Sequence, residues 1–106
     1  MTSIRYHEAA DAELLEAVGY LEAQAAGLGE RFLREVIHAE GILAQFPESG
    51  SPIRPGIRKW IVRKFPYSLM YSIEPGGIVV LAVAHHSRRP EYWVSRTRRP
   101  PGHSGN

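Results

Sequence analysis

Four side chains that lie close together near the C-terminus could act on a phosphate group or bind an acidic partner. They are His85, Arg88, Arg89 and Tyr92. In a nuclease, arginine would stabilise charge on the scissile phosphate while histidine or tyrosine moved a proton. In a binding protein, the arginines would pair with carboxylates or phosphates, and Tyr92 and Trp93 would supply apolar anchors. For His85 and Trp93 we favour a structural role.

A second basic group lies in residues 57–64, which we predict to form a strand. It consists of Arg58, Lys59, Arg63 and Lys64. Alternation along a strand would put Arg58 and Lys64 on one face and Lys59 and Arg63 on the other. Such charges either protect a sheet edge from aggregation or contact a partner, and the residues alone leave both possibilities open.

The sequence predicts neither a metal site nor a cofactor. Adjacent histidines on a strand, such as His85 and His86, point to opposite faces, and no cysteine or nearby acidic cluster completes a ligand set. We find no glycine-rich phosphate loop after a strand and no elbow motif around a serine nucleophile.

Charge is divided unequally along the chain. Residues 1–50 hold three basic and nine acidic side chains, a net charge of −6, whereas residues 51–106 hold ten basic and two acidic ones, a net charge of +8. Such segregation indicates an acidic or polyanionic partner for the basic half, or two halves that simply face each other or water.

The elements that must position these residues follow from hydrophobic periodicity. We predict a strand at residues 3–7, a helix at 8–26 and a second helix from 28 to about 46, where Pro47 disfavours continuation. The two apolar stripes include Ala10, Leu14 and Leu21 on the first helix and Phe32, Val36 and Phe46 on the second. A link this short makes the helices antiparallel.

The second half of the chain is predicted to be a sheet. Residues 47–56 read as a loop, followed by strands at 57–64, 68–73 and 78–84, the last apolar throughout as in a strand covered on both faces. The predicted order is β-α-α-β-β-β, an α+β fold with a helical hairpin on a small, mostly antiparallel sheet. Residues 1–96 form one domain, and we expect 97–106 to be a disordered basic tail.

Several sequence fragments, in this order and spacing, resemble the ParE/RelE superfamily of small bacterial toxins. They are the Phe-Pro-x-x-Gly break at residues 46–50, the Gly-x-Arg opening at 56–58, the proline-led strand ending in tyrosine at 65–71, and the histidine, arginine and aromatic cluster at 83–93. The resemblance covers almost the whole chain and is especially close to the ParE-like plasmid stabilisation branch.

This resemblance implies a toxin of a type II toxin–antitoxin system, neutralised by a cognate antitoxin. ParE-like members inhibit growth by binding DNA gyrase without being enzymes, whereas RelE-like members cleave mRNA in the ribosome. An inactive, antitoxin-binding relative is a third alternative. RelE-like nucleases commonly carry an arginine where this chain has Ser68, which favours binding over cleavage.

The candidate residues follow from these alternatives. In a ParE-like toxin no residue is catalytic, and the target-binding set is Arg58, Arg88, Arg89, Tyr92 and Trp93. In a nuclease the catalytic set would be Arg58, Arg63, His85, Arg88 and Tyr92.

The remaining expectations concern partners and location. DNA would be contacted only indirectly, through the antitoxin, and no membrane is involved, since the longest apolar stretch is far too short to span one. Residues 1–10 do not resemble a signal peptide, so we expect a cytoplasmic protein. We also expect that deleting residues 94–106 reduces toxicity and leaves the melting temperature nearly unchanged.

Overall fold

In the computed structural model, which describes residues 2–97, two helices lie against one face of a five-stranded sheet. The elements are β1 (Ile4–Tyr6), α1 (Glu8–Gln24), α2 (Leu28–Gln45), β2 (Ser51–Arg54), β3 (Ile57–Ile61), β4 (Tyr67–Glu74) and β5 (Gly77–His85). The strand order is β1-β5-β4-β3-β2, with β1 parallel to β5 and the other pairs antiparallel. The predicted α+β class is confirmed.

Two predicted boundaries in the second half of the chain are wrong. The predicted loop at residues 47–56 contains a 3-10 turn, Pro47–Ser49, and the edge strand β2, whose residues are all exposed and therefore show no alternating pattern. The strand predicted to reach Lys64 ends at Ile61, because Lys64 takes a left-handed backbone conformation with φ 69°. Arg63 and Lys64 therefore lie in the turn before β4 and do not alternate across a strand.

The helical hairpin is joined by a turn that needs both glycine and a carboxylate. Gly27 has φ 87°, a conformation that favours glycine. The carboxylate of Glu22 accepts hydrogen bonds from the backbone N–H groups of Gly27 and Gly29, at 2.8 and 3.0 Å. A side chain of α1 thus caps the N-terminus of α2 and fixes the angle between the two helices.

The main core lies between the helices and the sheet. Phe32, Val36 and Leu43 of α2 pack with Leu69 and other residues of β4 and β5. Phe46, predicted to continue the apolar stripe of α2, is 63% exposed, because the helix ends at Gln45 and Phe46 itself has a non-helical backbone.

A smaller core covers the opposite face of the sheet. Ile57, Leu81 and Ala82 are buried there under Trp93, which comes from the segment after β5. The strand β5 is consequently covered on both faces for most of its length, as its apolar sequence predicts. Among residues 2–97, no helix combines the length and apolar character needed to cross a bilayer.

Tyr71 connects the core to the 3-10 turn. It is fully buried, its hydroxyl donates to the carbonyl of Pro47 at 2.6 Å, and it accepts from the N–H of Gly50 at 2.9 Å. A Cβ atom on Gly50 would lie 2.6 Å from the Tyr71 hydroxyl and 2.9 Å from the carbonyl of Lys59. The close approach therefore requires glycine at position 50.

We predict that Gly50→Ala lowers the free energy of unfolding by about 1–3 kcal/mol, because neither the buried tyrosine nor the strand backbone can move aside. Chemical denaturation measures the change. Gly41→Ala is the matched control: Gly41 lies inside α2, and a methyl group added there would meet nothing within 4 Å, so this substitution should stabilise by roughly 0.5–1 kcal/mol. Equal midpoints for Gly50→Ala and the wild type would contradict this packing.

Candidate partner-binding site

One edge of the sheet is only partly covered. β1 pairs with Ile78, Val79 and Val80, and within residues 2–97 no other strand lies beside the rest of β5 on that side. A register shift between β4 and β5 leaves Leu81 as an extra residue opposite Met70 and Tyr71, which is a β-bulge. The C-terminal part of β5 therefore presents backbone groups that something other than β1 must satisfy.

A single carboxylate meets part of this requirement. Oε1 of Glu13, on α1, accepts a hydrogen bond from the N–H of Val83 at 3.0 Å. Arg96 donates to both oxygens of Glu13, at 2.9 and 3.0 Å, and also to the carbonyl of Leu81 at 3.0 Å. The Tyr92 hydroxyl donates to Oε2 of Glu13 at 2.8 Å. We call Glu13, Val83, Tyr92 and Arg96 the Glu13 cluster.

The cluster changes the protonation behaviour of its members. Burial alone would raise the pKa of Glu13, but hydrogen bonds from Arg96, Tyr92 and the Val83 N–H outweigh it and hold that pKa below its ordinary value. The hydrogen bond between Arg96 and Glu13 also raises the pKa of Arg96. Burial and the bond to Glu13 together raise the pKa of Tyr92 to about 12. All three groups therefore keep their ordinary charge at neutral pH.

Arg88 is placed at the rim of the cluster. Its guanidinium lies 3.9 Å from the centre of the Tyr92 ring, a cation–π contact, and 4.0 Å from Oε2 of Glu13. The side chain is half exposed, so it keeps donors available on its open side. Arg89 next to it is exposed. Arg88 and Arg89 thus both lie at the surface here, and Arg88 is held in position by its contacts with Tyr92 and Glu13.

Beside Arg88, a groove of about 270 Å³ runs between α1 and the free part of β5. Glu16 and Tyr20 line its helical side, and Tyr67 and His85 line its sheet side. Tyr20 is 58% exposed, whereas Tyr67 is buried. His85 packs edge-on against Tyr67 with ring centres 5.0 Å apart, and its Nδ1 lies 2.7 Å from the Ser87 hydroxyl. Both contacts orient its ring.

The structure does not bring all the predicted site residues together. Arg88, Arg89 and Tyr92 are neighbours, and His85 lines the groove beside them. Arg58 lies two strands away, where its guanidinium donates to the carbonyls of Glu48 and Gly50 at 3.0 and 2.8 Å. Arg63 is exposed in the turn before β4, and Trp93 is only 2% exposed in the smaller core. The contacts of Arg58 and Trp93 are therefore internal.

Sequence reasoning missed Glu13 and Arg96. Glu13 lies in the second turn of α1, three residues after Ala10 and four before Ala17, which places it on the buried stripe of that helix. A carboxylate on such a stripe indicates an internal cationic partner. Nothing in the sequence singles out Arg96 among the C-terminal arginines, because its role depends on the path of the chain after β5.

The expectation that residues 94–106 contribute little to folding is wrong in its premise. Val94 packs against the smaller core, and Arg96 belongs to the Glu13 cluster. Residues Val94–Thr97 form a 3-10 helix. We now expect deletion from Val94 onward to lower the melting temperature. The rest of the predicted tail, residues 98–106, lies outside the described residues.

The helical hairpin, the sheet and the groove at the partly covered edge define a small α+β domain. The chain belongs to the ParE toxin family: the family model described as "ParE toxin of type II toxin-antitoxin system, parDE" matches residues 4–90. Among curated protein sequences, none matches the chain.

A solved structure has the same fold. It is described as "Chromosomal ParDE TA system from P. aeruginosa", and it superposes with a TM-score of 0.69 at 17% sequence identity, covering 80% of this chain and 96% of that one. The family match identifies a ParE toxin of a type II toxin–antitoxin system, and the superposition shows a shared fold.

We predict that Glu13→Gln lowers the free energy of unfolding by about 1–3 kcal/mol at neutral pH, because it leaves the partly buried guanidinium of Arg96 beside a neutral group. Because folding lowers the pKa of Glu13, its stabilising effect is complete above the unfolded pKa and is lost as the pH falls through the folded one. The difference between wild type and variant should therefore shrink below about pH 4.

Denaturation at several pH values tests this, with Glu16→Gln as the control on the same helix. Glu16 is exposed, so its substitution should change stability by less than about 0.5 kcal/mol. A difference for Glu13→Gln that stays constant down to acid pH would show that its charge does not stabilise the fold.

Proposed function

We propose that this ParE toxin arrests growth by binding DNA gyrase, that it acts in the cytoplasm without catalysis, and that a cognate antitoxin neutralises it through the groove beside β5. The observation that carries the proposal is Arg88, held over the Tyr92 ring with its donors open to solvent, next to the exposed Arg89. Arginines of this kind are suited to pairing with carboxylates on a protein surface.

The surroundings of the nuclease candidates support binding rather than cleavage. Ser68, which occupies the position of a common nuclease arginine, is fully buried, and its hydroxyl lies 2.9 Å from Nε2 of His86. The Tyr92 hydroxyl donates to Glu13, and its raised pKa makes it a poor base at neutral pH. His85 is engaged by Tyr67 and Ser87.

The groove is suited to a segment that folds as it binds. It offers the exposed ring of Tyr20, the half-buried ring of His85 and the uncovered edge of β5, so an incoming chain can bury apolar surface and add hydrogen bonds together. A domain of this size gains much of its working stability from such a partner.

We predict that the antitoxin encoded beside this gene binds with a strongly negative heat-capacity change, the signature of coupled folding and apolar burial. Titration calorimetry at several temperatures measures it. Tyr20→Ala should weaken binding about tenfold or more, which is about 1.4 kcal/mol.

Leu15→Ala is the matched control for this titration. Leu15 is also exposed on α1, at 67%, but does not line the groove, so its truncation should leave the affinity unchanged. No binding at micromolar concentration, or equal losses for the two variants, would contradict the groove assignment.

We predict that the purified toxin inhibits DNA supercoiling by gyrase, and that Arg88→Ala and Arg89→Ala each weaken inhibition by about tenfold, the value of one charge-assisted contact. Arg5→Gln is the control, an exposed arginine on β1 away from the groove. Thermal unfolding of each variant shows whether the fold is retained.

A primer-extension assay on translating ribosomes separates this proposal from the nuclease alternative. We expect no cuts in the ribosomal A site. Clear cuts by the wild type that disappear in Arg88→Ala would overturn non-enzymatic binding, and an unaffected gyrase would overturn the target.

A further inference from the structure

A second cleft lies where the start of α2 meets the turn before β4. It measures about 270 Å³ and is formed by Leu28, Arg31, Arg34, Glu35, Lys64 and Phe65. Leu28 and Phe65 are half-buried and pack against the main core, so the cleft has an apolar floor that the core itself holds rigid. None of these six residues lines the groove beside β5.

The walls of this cleft carry three cationic side chains and one carboxylate. Arg31, Arg34 and Lys64 are all exposed. Arg34 has a salt bridge with Glu30 at 3.7 Å, but both side chains are more than two-thirds exposed, at 68% and 72%, so the pair holds the arginine only weakly. At the N-terminus of α2, the carboxylate of Glu22 already accepts hydrogen bonds from the backbone N–H groups of Gly27 and Gly29. The positive charge of the cleft therefore comes from its side chains.

The backbone conformation of Lys64 is the feature of this cleft that folding explains least. Its φ of 69° lies in the left-handed region, where a residue with a Cβ atom costs about 1 kcal/mol relative to glycine. Its side chain is exposed, and the turn it forms needs no lysine. A strained residue that folding does not require supports a functional role for its side chain.

We propose that this cleft binds an acidic segment of a partner protein, with an apolar side chain on Leu28 and Phe65 and carboxylates paired with Arg31, Arg34 and Lys64. The apolar floor favours a peptide over a nucleic-acid backbone, whose sugars are polar and offer no apolar side chain to cover it. Glu35 in the wall also repels a dense row of phosphates, whereas spaced carboxylates can avoid it. The inference does not depend on gyrase as the target.

The test is an NMR titration of the full chain with a synthetic pentapeptide that has a central leucine flanked by two aspartates and two glutamates. We expect saturable shifts at the amides of Leu28, Arg31, Arg34 and Phe65, with an affinity of about 1 mM or tighter. Replacing the peptide leucine by glycine should weaken binding, because it leaves the floor uncovered. Shifts that do not saturate, or that spread over the whole surface, would overturn the proposal.

Lys64→Gly separates this role from a structural one. It removes a cation and relieves the strained backbone, so it should leave the melting temperature unchanged or raised while weakening peptide binding up to about fivefold, the value of an exposed ion pair. Adding Arg31→Gln should bring the loss to about tenfold. Arg5→Gln, an exposed arginine on β1, is the control and should bind normally.

Two further ligands decide the chemistry of the partner. If inorganic phosphate or a short DNA duplex shifts the same amides more strongly than the peptide, the cleft is a phosphate site and the acidic-peptide proposal is overturned. If Lys64→Gly binds the peptide as well as the wild type does, the strain at position 64 has no binding role, and the proposal fails.

Discussion

The hydrogen bonds accepted by the Glu13 carboxylate are central to this structure. They join three parts of the chain: α1, the bulged edge of β5 and the segment that carries Arg96. Because β1 is too short to cover β5, the backbone groups of Leu81 and Val83 would otherwise face solvent as an open sheet edge. Glu13 accepts a hydrogen bond from the N–H of Val83 and Arg96 donates one to the carbonyl of Leu81, so two charged side chains satisfy these groups without another strand.

This arrangement divides the arginines of the basic half into two kinds. Arg58 and Arg96 donate to backbone carbonyls inside the molecule, and their substitution would act through stability. Arg88 and Arg89 stand at the surface beside the groove, where we propose that they contact a partner. The proposed binding function would need both kinds, because contacts at the rim discriminate between partners only when the surface that carries them is rigid.

The helical hairpin could be predicted because apolar periodicity reports directly which side of a helix is buried, as for Phe32, Val36 and Leu43. The strand β2 could not be predicted, since an edge strand with every residue exposed has no alternation of apolar and polar residues to detect. The end of β3 was predicted too late, because a lysine gives no sign of the left-handed backbone that Lys64 adopts. Glu13 carried a detectable signal, its place on the buried stripe of α1.

Sequence patterns were enough to predict the class of fold, the order of its main elements, the resemblance to ParE toxins and the cluster of His85, Arg88 and Tyr92, since each follows from neighbours in the chain. Three features appear only in the folded molecule: which arginines are internal, which edge of the sheet is open, and the position of Lys64 across a cleft from α2. The reason is physical: a contact such as Glu13 with Arg96 joins residues 83 positions apart, and its formation depends on strand lengths and a bulge that local periodicity does not encode.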